Sequence, residues 1–354
     1  MPAVNPRPPT LVVPPRPKPE RKLRREHLDV KAAPGEHIFD AAPFAEELKE
    51  LLAGDWPHPF EQTVEFVERC EQVYLEFPTQ LRRVVDRFSR NGNDFGILLI
   101  QNLPQDPALP NTPSNSRRAL GKATFLSEAL LGCIGGGLGS VYSYRQQNDG
   151  DMFHDICPVK KDSTAMTGQN SLIDLSFHTD GASHPMPPDF VLFDCLRGDP
   201  CAQTRFSTTP DIMRMLDPAD LEALRRREFV IRPDFEFGEV EASKLKIKVF
   251  EQTAGPTTLR FDNDLMEADD PEAERLIGAF LRVLRKTWVY LTFEAGDFAV
   301  LDNRRTVHSR SVYSPRYDGH DRWLQVAYAK RDITGTCESV TMRDRIVDVD
   351  GWCD

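Results

Sequence analysis

The hydrophobic pattern changes character part-way along the chain. In AAPFAEELKELLAG the apolar residues Phe44, Leu48, Leu51 and Leu52 recur at helical spacing, and Gly54 supplies a stop. HPFEQTVEFVERCEQVYLEF and the segment through LRRVVDRFSRNG repeat that pattern, and residues 116–133 read as a further helix. NDFGILLIQNLP (93–104) breaks the series: its short continuous apolar run between turn residues predicts a buried strand. From about 138 onward, SVYSYR, NSLIDLSFH, DFVLFDCL, QTRFST, KLKIKVF, TTLRFD, FAVLDN and WLQVAYAKRD each predict a short strand. One long helical pattern, PEAERLIGAFLRVLRKTWVYL, interrupts them. Residues 232–256 mix charged and apolar positions without strand boundaries and read as a flap over a site. Many short strands with few helical insertions predict a mainly β protein in which two sheets close on each other.

Composition separates off the N-terminus. Residues 1–35 hold nine of the 28 prolines, so they read as a disordered arm that cannot form a helix and has little to bury. Residues 36–354 read as one domain, with a helical part over about 40–135, a β core over about 138–335 and the flap at 232–256. The net charge is −11, yet residues 1–30 carry seven Lys/Arg against three Asp/Glu, which leaves −15 on the rest. So acidic a body is a poor candidate for binding nucleic acid. No stretch has the run of about 18 apolar residues that spans a bilayer. The start MPAVNPRPPT lacks the apolar core of a secretory signal. Seven irregularly spaced cysteines without a CxxC pair indicate neither a zinc ribbon nor a disulfide framework, and a reducing cytoplasm is the expected compartment.

Candidate chemistry begins at SFHTDGASH (176–184). On a strand, His178 and Asp180 would point to one face, and an imidazole with a carboxylate suits iron. The tripeptide alone is weak evidence. His308 adds a distant second imidazole, and Arg322 follows fourteen residues later at the head of a predicted strand. Two histidines and one carboxylate make a facial triad that leaves coordination positions open. A 2-oxo acid and dioxygen can fill them, and the far carboxylate of 2-oxoglutarate needs a planar cation such as a guanidinium.

HTD (178–180), LDNRRTVH (301–308) and DRW (321–323), with DFVLFDCLRGDP (189–200) and FDNDLM (261–266), resemble the clavaminate synthase-like branch of the Fe(II)/2-oxoglutarate oxygenases. Within that branch they are similar to the bacterial amino-acid hydroxylases acting on free arginine, lysine or asparagine. The resemblance covers roughly residues 90–332 and implies a double-stranded β-helix, or jelly roll, with helical insertions and a lid. It implies Fe(II) on His178, Asp180 and His308, 2-oxoglutarate on Arg322 with Thr204, and O2 as oxidant. The family usually has Glu where this chain has Asp180; a Gly or Ala would have pointed to a halogenase. Asp262 and Asp264 take the positions that pair with a substrate cation, and their other reading is a turn that caps its own loop. Gln146 or Gln147 would contact the substrate amino group. His154 is left without a role, His184 is read as outside the pocket, and His320 falls in a turn.

One departure bears on substrate. Four residues beyond the 2-oxoglutarate arginine the relatives carry a second arginine for the substrate α-carboxylate, and here that position is Val326. The implied function is hydroxylation of an unactivated C–H of an amino acid or amino-acid-derived metabolite in natural-product biosynthesis, with release of succinate and CO2. A substrate without a free carboxylate, such as a cyclic dipeptide or an aminoacyl group on a carrier protein, is the variant that Val326 suggests. Desaturation or cyclisation would use the same cofactors. From other classes stand a non-catalytic ligand-binding jelly roll and a cupin-type metal hydrolase or isomerase, which leaves Arg322 unexplained.

Overall fold

The computed structural model describes residues 37–114, 121–234, 245–252, 255–333 and 340–348. The proline-rich arm, and residues 235–244 and 253–254 of the predicted flap, lie outside them. β1 (Ile38–Asp40) leads into α1 (Ala45–Leu52), α2 (Thr63–Tyr74) and α3 (Thr79–Asn91), then β2 (Ile97–Gln101) and α4 (Leu126–Leu138). Five strands follow: β3 (Ser140–Tyr144), β4 (His154–Ile156), β5 (Leu175–His178), β6 (Phe190–Arg197) and β7 (Gln203–Thr208). Next come α5 (Thr209–Met215), α6 (Pro218–Arg226), β8 (Phe229–Ile231), β9 (Leu245–Ile247), β10 (Phe250–Glu251), β11 (Thr258–Leu259) and α7 (Pro271–Thr287). The last strands are β12 (Val289–Thr292), β13 (Phe298–Asp302), β14 (Thr306–Arg310), β15 (Trp323–Lys330), β16 (Thr341–Arg343) and β17 (Ile346–Asp348). The protein is mainly β with helices. No helix among the described residues is long and apolar enough to cross a membrane.

Two sheets form the centre. The larger runs β1-β2-β13-β6-β15-β3-β17-β16, with β4 also pairing with β15; the smaller runs β12-β7-β14-β5. Alternation of side chains across each strand divides the apolar residues into layers. Leu98, Ile100, Leu192 and Val300 turn outward from the large sheet and share a core with Phe66, Leu81, Val85 and Phe88 of α2 and α3 and with α4. Their neighbours Ile97, Leu99, Phe193 and Leu301 turn inward and meet Phe206 and Leu291 of the small sheet. Phe177 and Val307, on the other face of the small sheet, pack on Leu276, Phe280 and Leu284 of α7.

Three expectations need correcting. The helix over PEAERLIGAFLRVLRKTWVYL stops at Thr287, and Val289–Thr292 is a strand paired antiparallel with β7. Trp288 adopts ψ 143°, and the β-branched and aromatic residues after it favour the ladder that β7 offers. The helix expected at 116–133 is found at Leu126–Leu138, with 115–120 outside the described residues. Gly135 and Gly137 fall inside it because a Cβ at either would run into the side chain of Val141 or Tyr74. Of NSLIDLSFH only the last four residues are strand, whereas β4 and β14, absent from the expected strands, are strands.

Candidate active site

His178 ends β5, and its direct cross-strand partner on β14 is His308. The register brings the two imidazoles to a centroid separation of 4.3 Å. Asp180 lies beyond the strand, so shared strand alternation does not aim it. Asn303, in the turn between β13 and β14, does that instead. The Asp180 N–H donates to Asn303 Oδ1 at 2.9 Å, and Asn303 Nδ2 donates back to the Asp180 carbonyl at 2.9 Å. Gly181 completes the turn at φ 65°, a conformation costly for other residues. Asp180 Oδ1 then stands 3.2 Å from His178 Nε2 and 3.8 Å from His308 Nε2. All three residues offer a ligand atom within 4.8 Å of the others, so the set can hold a metal ion.

The three groups perturb one another's protonation. Burial alone would lower the pKa of His178, but the Asp180 carboxylate overrides it and holds it up at about 9. Burial, with His178 beside it, pushes His308 down to about 4. Against the cost of its own burial, the charges of His308 and His178 keep Asp180 below the usual carboxylate range. His178 Nδ1 lies 2.8 Å from the Ser176 carbonyl. A proton on Nδ1 donates to that oxygen and leaves the Nε2 lone pair for a metal.

The triad borders a cavity of about 570 Å³. Arg322, only 4% exposed, lines it, and its Nη1 has no hydrogen-bond partner among the described residues. Thr204 lines it as well. Asp262 and Asp264 lie on another part of the wall. Asp262 does cap its own turn: Oδ1 accepts from the Asp264 N–H at 2.8 Å and the Leu265 N–H at 3.0 Å, and burial pushes its pKa up to about 6. Asp264 accepts from Ser176 Oγ at 3.2 Å. The two glutamines part: Gln147 lines the cavity, while Gln146 points Nε2 at Asp348 Oδ1, 3.1 Å away. Val326 lines the wall with His154 as its cross-strand neighbour. His184 is buried behind the cavity, accepting the Met186 N–H on Nδ1 at 2.9 Å; burial and Arg260 push its pKa down to about 3. Asn303, inside the LDNRRTVH motif, and Arg310, two residues beyond it, carry no role that the sequence alone shows.

This arrangement recurs in known proteins. The sequence profile of the taurine catabolism dioxygenase TauD, TfdA family matches residues 93–328. The chain belongs to that family. Among its relatives is clavaminate synthase 2 of Streptomyces clavuligerus, 28% identical over 305 residues, 84% of this chain and 93% of the relative. L-asparagine oxygenase of Streptomyces coelicolor is 31% identical over 281 residues, 76% of this chain and 81% of the relative. A solved structure of asparagine oxygenase in complex with Fe(II), (2S,3S)-3-hydroxyasparagine and succinate superposes with a TM-score of 0.79 at 26% identity, covering 88% of this chain and 99% of that one. Membership of the TauD/TfdA family makes this chain an Fe(II)/2-oxoglutarate-dependent dioxygenase.

Proposed function

We propose that this dioxygenase hydroxylates an unactivated C–H of an amino-acid-derived substrate on a jelly-roll scaffold, and that His178, Asp180 and His308 hold its iron. One observation carries the assignment of sites: two imidazoles and a carboxylate converge on a cavity whose wall holds a buried guanidinium with an unsatisfied N–H. The donor set fits iron, and it leaves room for a chelating 2-oxo acid. Arg322 fits the far carboxylate of that acid, with Thr204 on the same wall.

When bound, iron and 2-oxoglutarate together supply dioxygen activation, with succinate and CO2 as co-products and one oxygen atom delivered to the substrate. The protein's own residues prepare for this. Ser176 fixes the His178 tautomer, and Asn303 fixes the Asp180 backbone. The proton that the metal-free cluster keeps on His178 must leave when the metal binds. Asp262 and Asp264 would draw a cationic end of the substrate, and Gln147 would meet its polar backbone.

Val326 favours a narrower substrate. An apolar residue at that wall offers no grip on a free α-carboxylate, so an amide, a cyclic dipeptide or a carrier-tethered aminoacyl group fits the cavity better. Incubating iron-loaded protein with free basic amino acids and with their amide and thioester derivatives, and reading products by mass spectrometry, tests both levels. A gain of one oxygen on derivatives alone is expected. Efficient hydroxylation of free arginine or lysine would sink the narrower version, and no substrate-dependent succinate from any amino-acid compound would sink the function.

A further inference from the structure

The end of the cavity around Arg322 holds more unsatisfied donors than one guanidinium. Arg310 lies two residues beyond His308 on β14 and is the direct cross-strand partner of Thr204 on β7. It is 4% exposed and lines the same cavity. Its guanidinium donates to Asn170 Oδ1 and, at 3.5 Å, to the Ser311 carbonyl, both neutral oxygens, while Nε has no partner among the described residues. The Tyr313 ring lies 4.9 Å from its guanidinium carbon. The Tyr313 hydroxyl and Asn170 Nδ2 are also buried without partners, as is Arg322 Nη1.

Two buried guanidiniums, each with an N–H that no acceptor among the described residues satisfies, therefore line one cavity. Leaving such groups unpaired is costly in a dry interior, and an entering anion would remove the cost. Strand order fixes which anion. His308 is central on β14, and Arg310 is one inward-facing step further along. Arg322 immediately precedes β15, while Val326 lies further along that strand, toward the part of the wall shared with Asp180 and Tyr328. Arg310, Thr204 and Arg322 thus mark the end where the 2-oxo acid's distal carboxylate belongs, away from Val326.

We infer that Arg310 is a second guanidinium for the distal carboxylate of 2-oxoglutarate, so that the co-substrate is held by an Arg310–Arg322 pair with Thr204 between them. The inference rests on the function proposed above. The pair makes the far charge of the co-substrate the main source of its affinity.

Calorimetric titration of Co(II)-loaded protein under anaerobic conditions tests this with two ligands: 2-oxoglutarate, and 2-oxopentanoate, which replaces the distal carboxylate by a methyl group. For Arg310→Gln the 2-oxoglutarate affinity is expected to fall at least about tenfold, roughly 1.4 kcal/mol, with 2-oxopentanoate affinity unchanged. Equal weakening of both ligands, or a 2-oxoglutarate affinity within about twofold of wild type, would overturn the inference while leaving the function intact. Failure of wild-type protein to bind 2-oxoglutarate would overturn the function itself and the inference with it. Should Arg310→Gln not fold, a crystal structure of wild-type protein with 2-oxoglutarate decides: an Arg310 guanidinium within hydrogen-bond distance of the distal carboxylate supports the pair, and one beyond 4 Å from it, on the order of the ion-pair limit, refutes it.

Discussion

The two faces of β15 each carry a buried polar cluster, and the clusters are opposites. On the outer face, Lys122 Nζ meets Asp106 at 3.0 Å and Glu128 at 2.5 Å. Gln325 Nε2 donates to Glu128 at 2.9 Å and to Asp155 at 3.0 Å, and Trp323 Nε1 donates to Asp155 at 2.7 Å. The charges of Lys122, Asp106, Glu128 and Asp155 are answered there within the protein. On the inner face, Arg322 and Arg310 border a cavity with donors left over, and His178, Asp180 and His308 crowd lone pairs against one another. A network closed on itself reads as architecture. One with vacant donors at one end and converging lone pairs at the other reads as a place for an anion and a cation. The distinction matters because burial and charge alone would select both. Asp194 marks the limit of the outer network: its carboxyl is buried without a partner among the described residues, and burial raises its pKa and favours the neutral form.

Breaking the inner cluster at its metal end has the largest expected effect. His308→Ala removes one of the three proposed ligands, and turnover is expected to fall by at least about a thousandfold. Metal analysis should find the iron lost while circular dichroism is unchanged. A variant that retained full iron occupancy and turnover would remove His308 from the ligand set. The outer cluster should respond in stability. Lys122→Met leaves Asp106 and Glu128 as uncompensated buried carboxylates and should cost about 3–5 kcal/mol in urea unfolding. Its folded fraction should bind 2-oxoglutarate as wild type does; an altered affinity would show that the two faces are coupled.

How much of this was legible in the sequence differs between the same two faces. Triad composition, Arg322 and most of the β core could be read from HTD, His308, DRW and the short apolar runs, because ligand chemistry and strand periodicity are local properties. The means of aiming Asp180 was not: it depends on Asn303, 123 residues away in the chain. The strand at 289–292 was hidden because an apolar run after a helix suits either state until β7 supplies a ladder. Gln146 and Gln147 are adjacent, and only the fold shows which one meets the cavity. The outer network was invisible, since Lys122, Glu128, Asp155 and Gln325 share no motif and become neighbours only when α4 lies on the sheet.

Two smaller effects sharpen the contrast. Burial raises Asp155 from the usual carboxylate value to about 6, against the hydrogen bonds from Trp323 and Gln325. A raised carboxyl contributes stability below its unfolded pKa, near 3.8, and loses it as pH rises through the folded value of about 6. Asp155→Asn does not titrate, so its stability relative to wild type should grow by up to about 3 kcal/mol between pH 4 and pH 7. A flat difference across that range would mean that the outer network stabilises the ionised carboxylate fully. Arg322→Gln should leave stability nearly unchanged and weaken 2-oxoglutarate binding about tenfold to a hundredfold, the range of a charge-assisted pair. A clear loss of stability with no loss of affinity would move Arg322 into the class of Lys122.

The most direct test of the inner cluster is optical. Iron(II)-loaded protein is mixed with 2-oxoglutarate without oxygen, and visible absorption is recorded for wild type and for His308→Ala. The account predicts a metal-to-ligand charge-transfer band in wild type that saturates at one equivalent of 2-oxoglutarate and is absent from the variant. Iron-loaded wild type that shows no band in excess 2-oxoglutarate would contradict it.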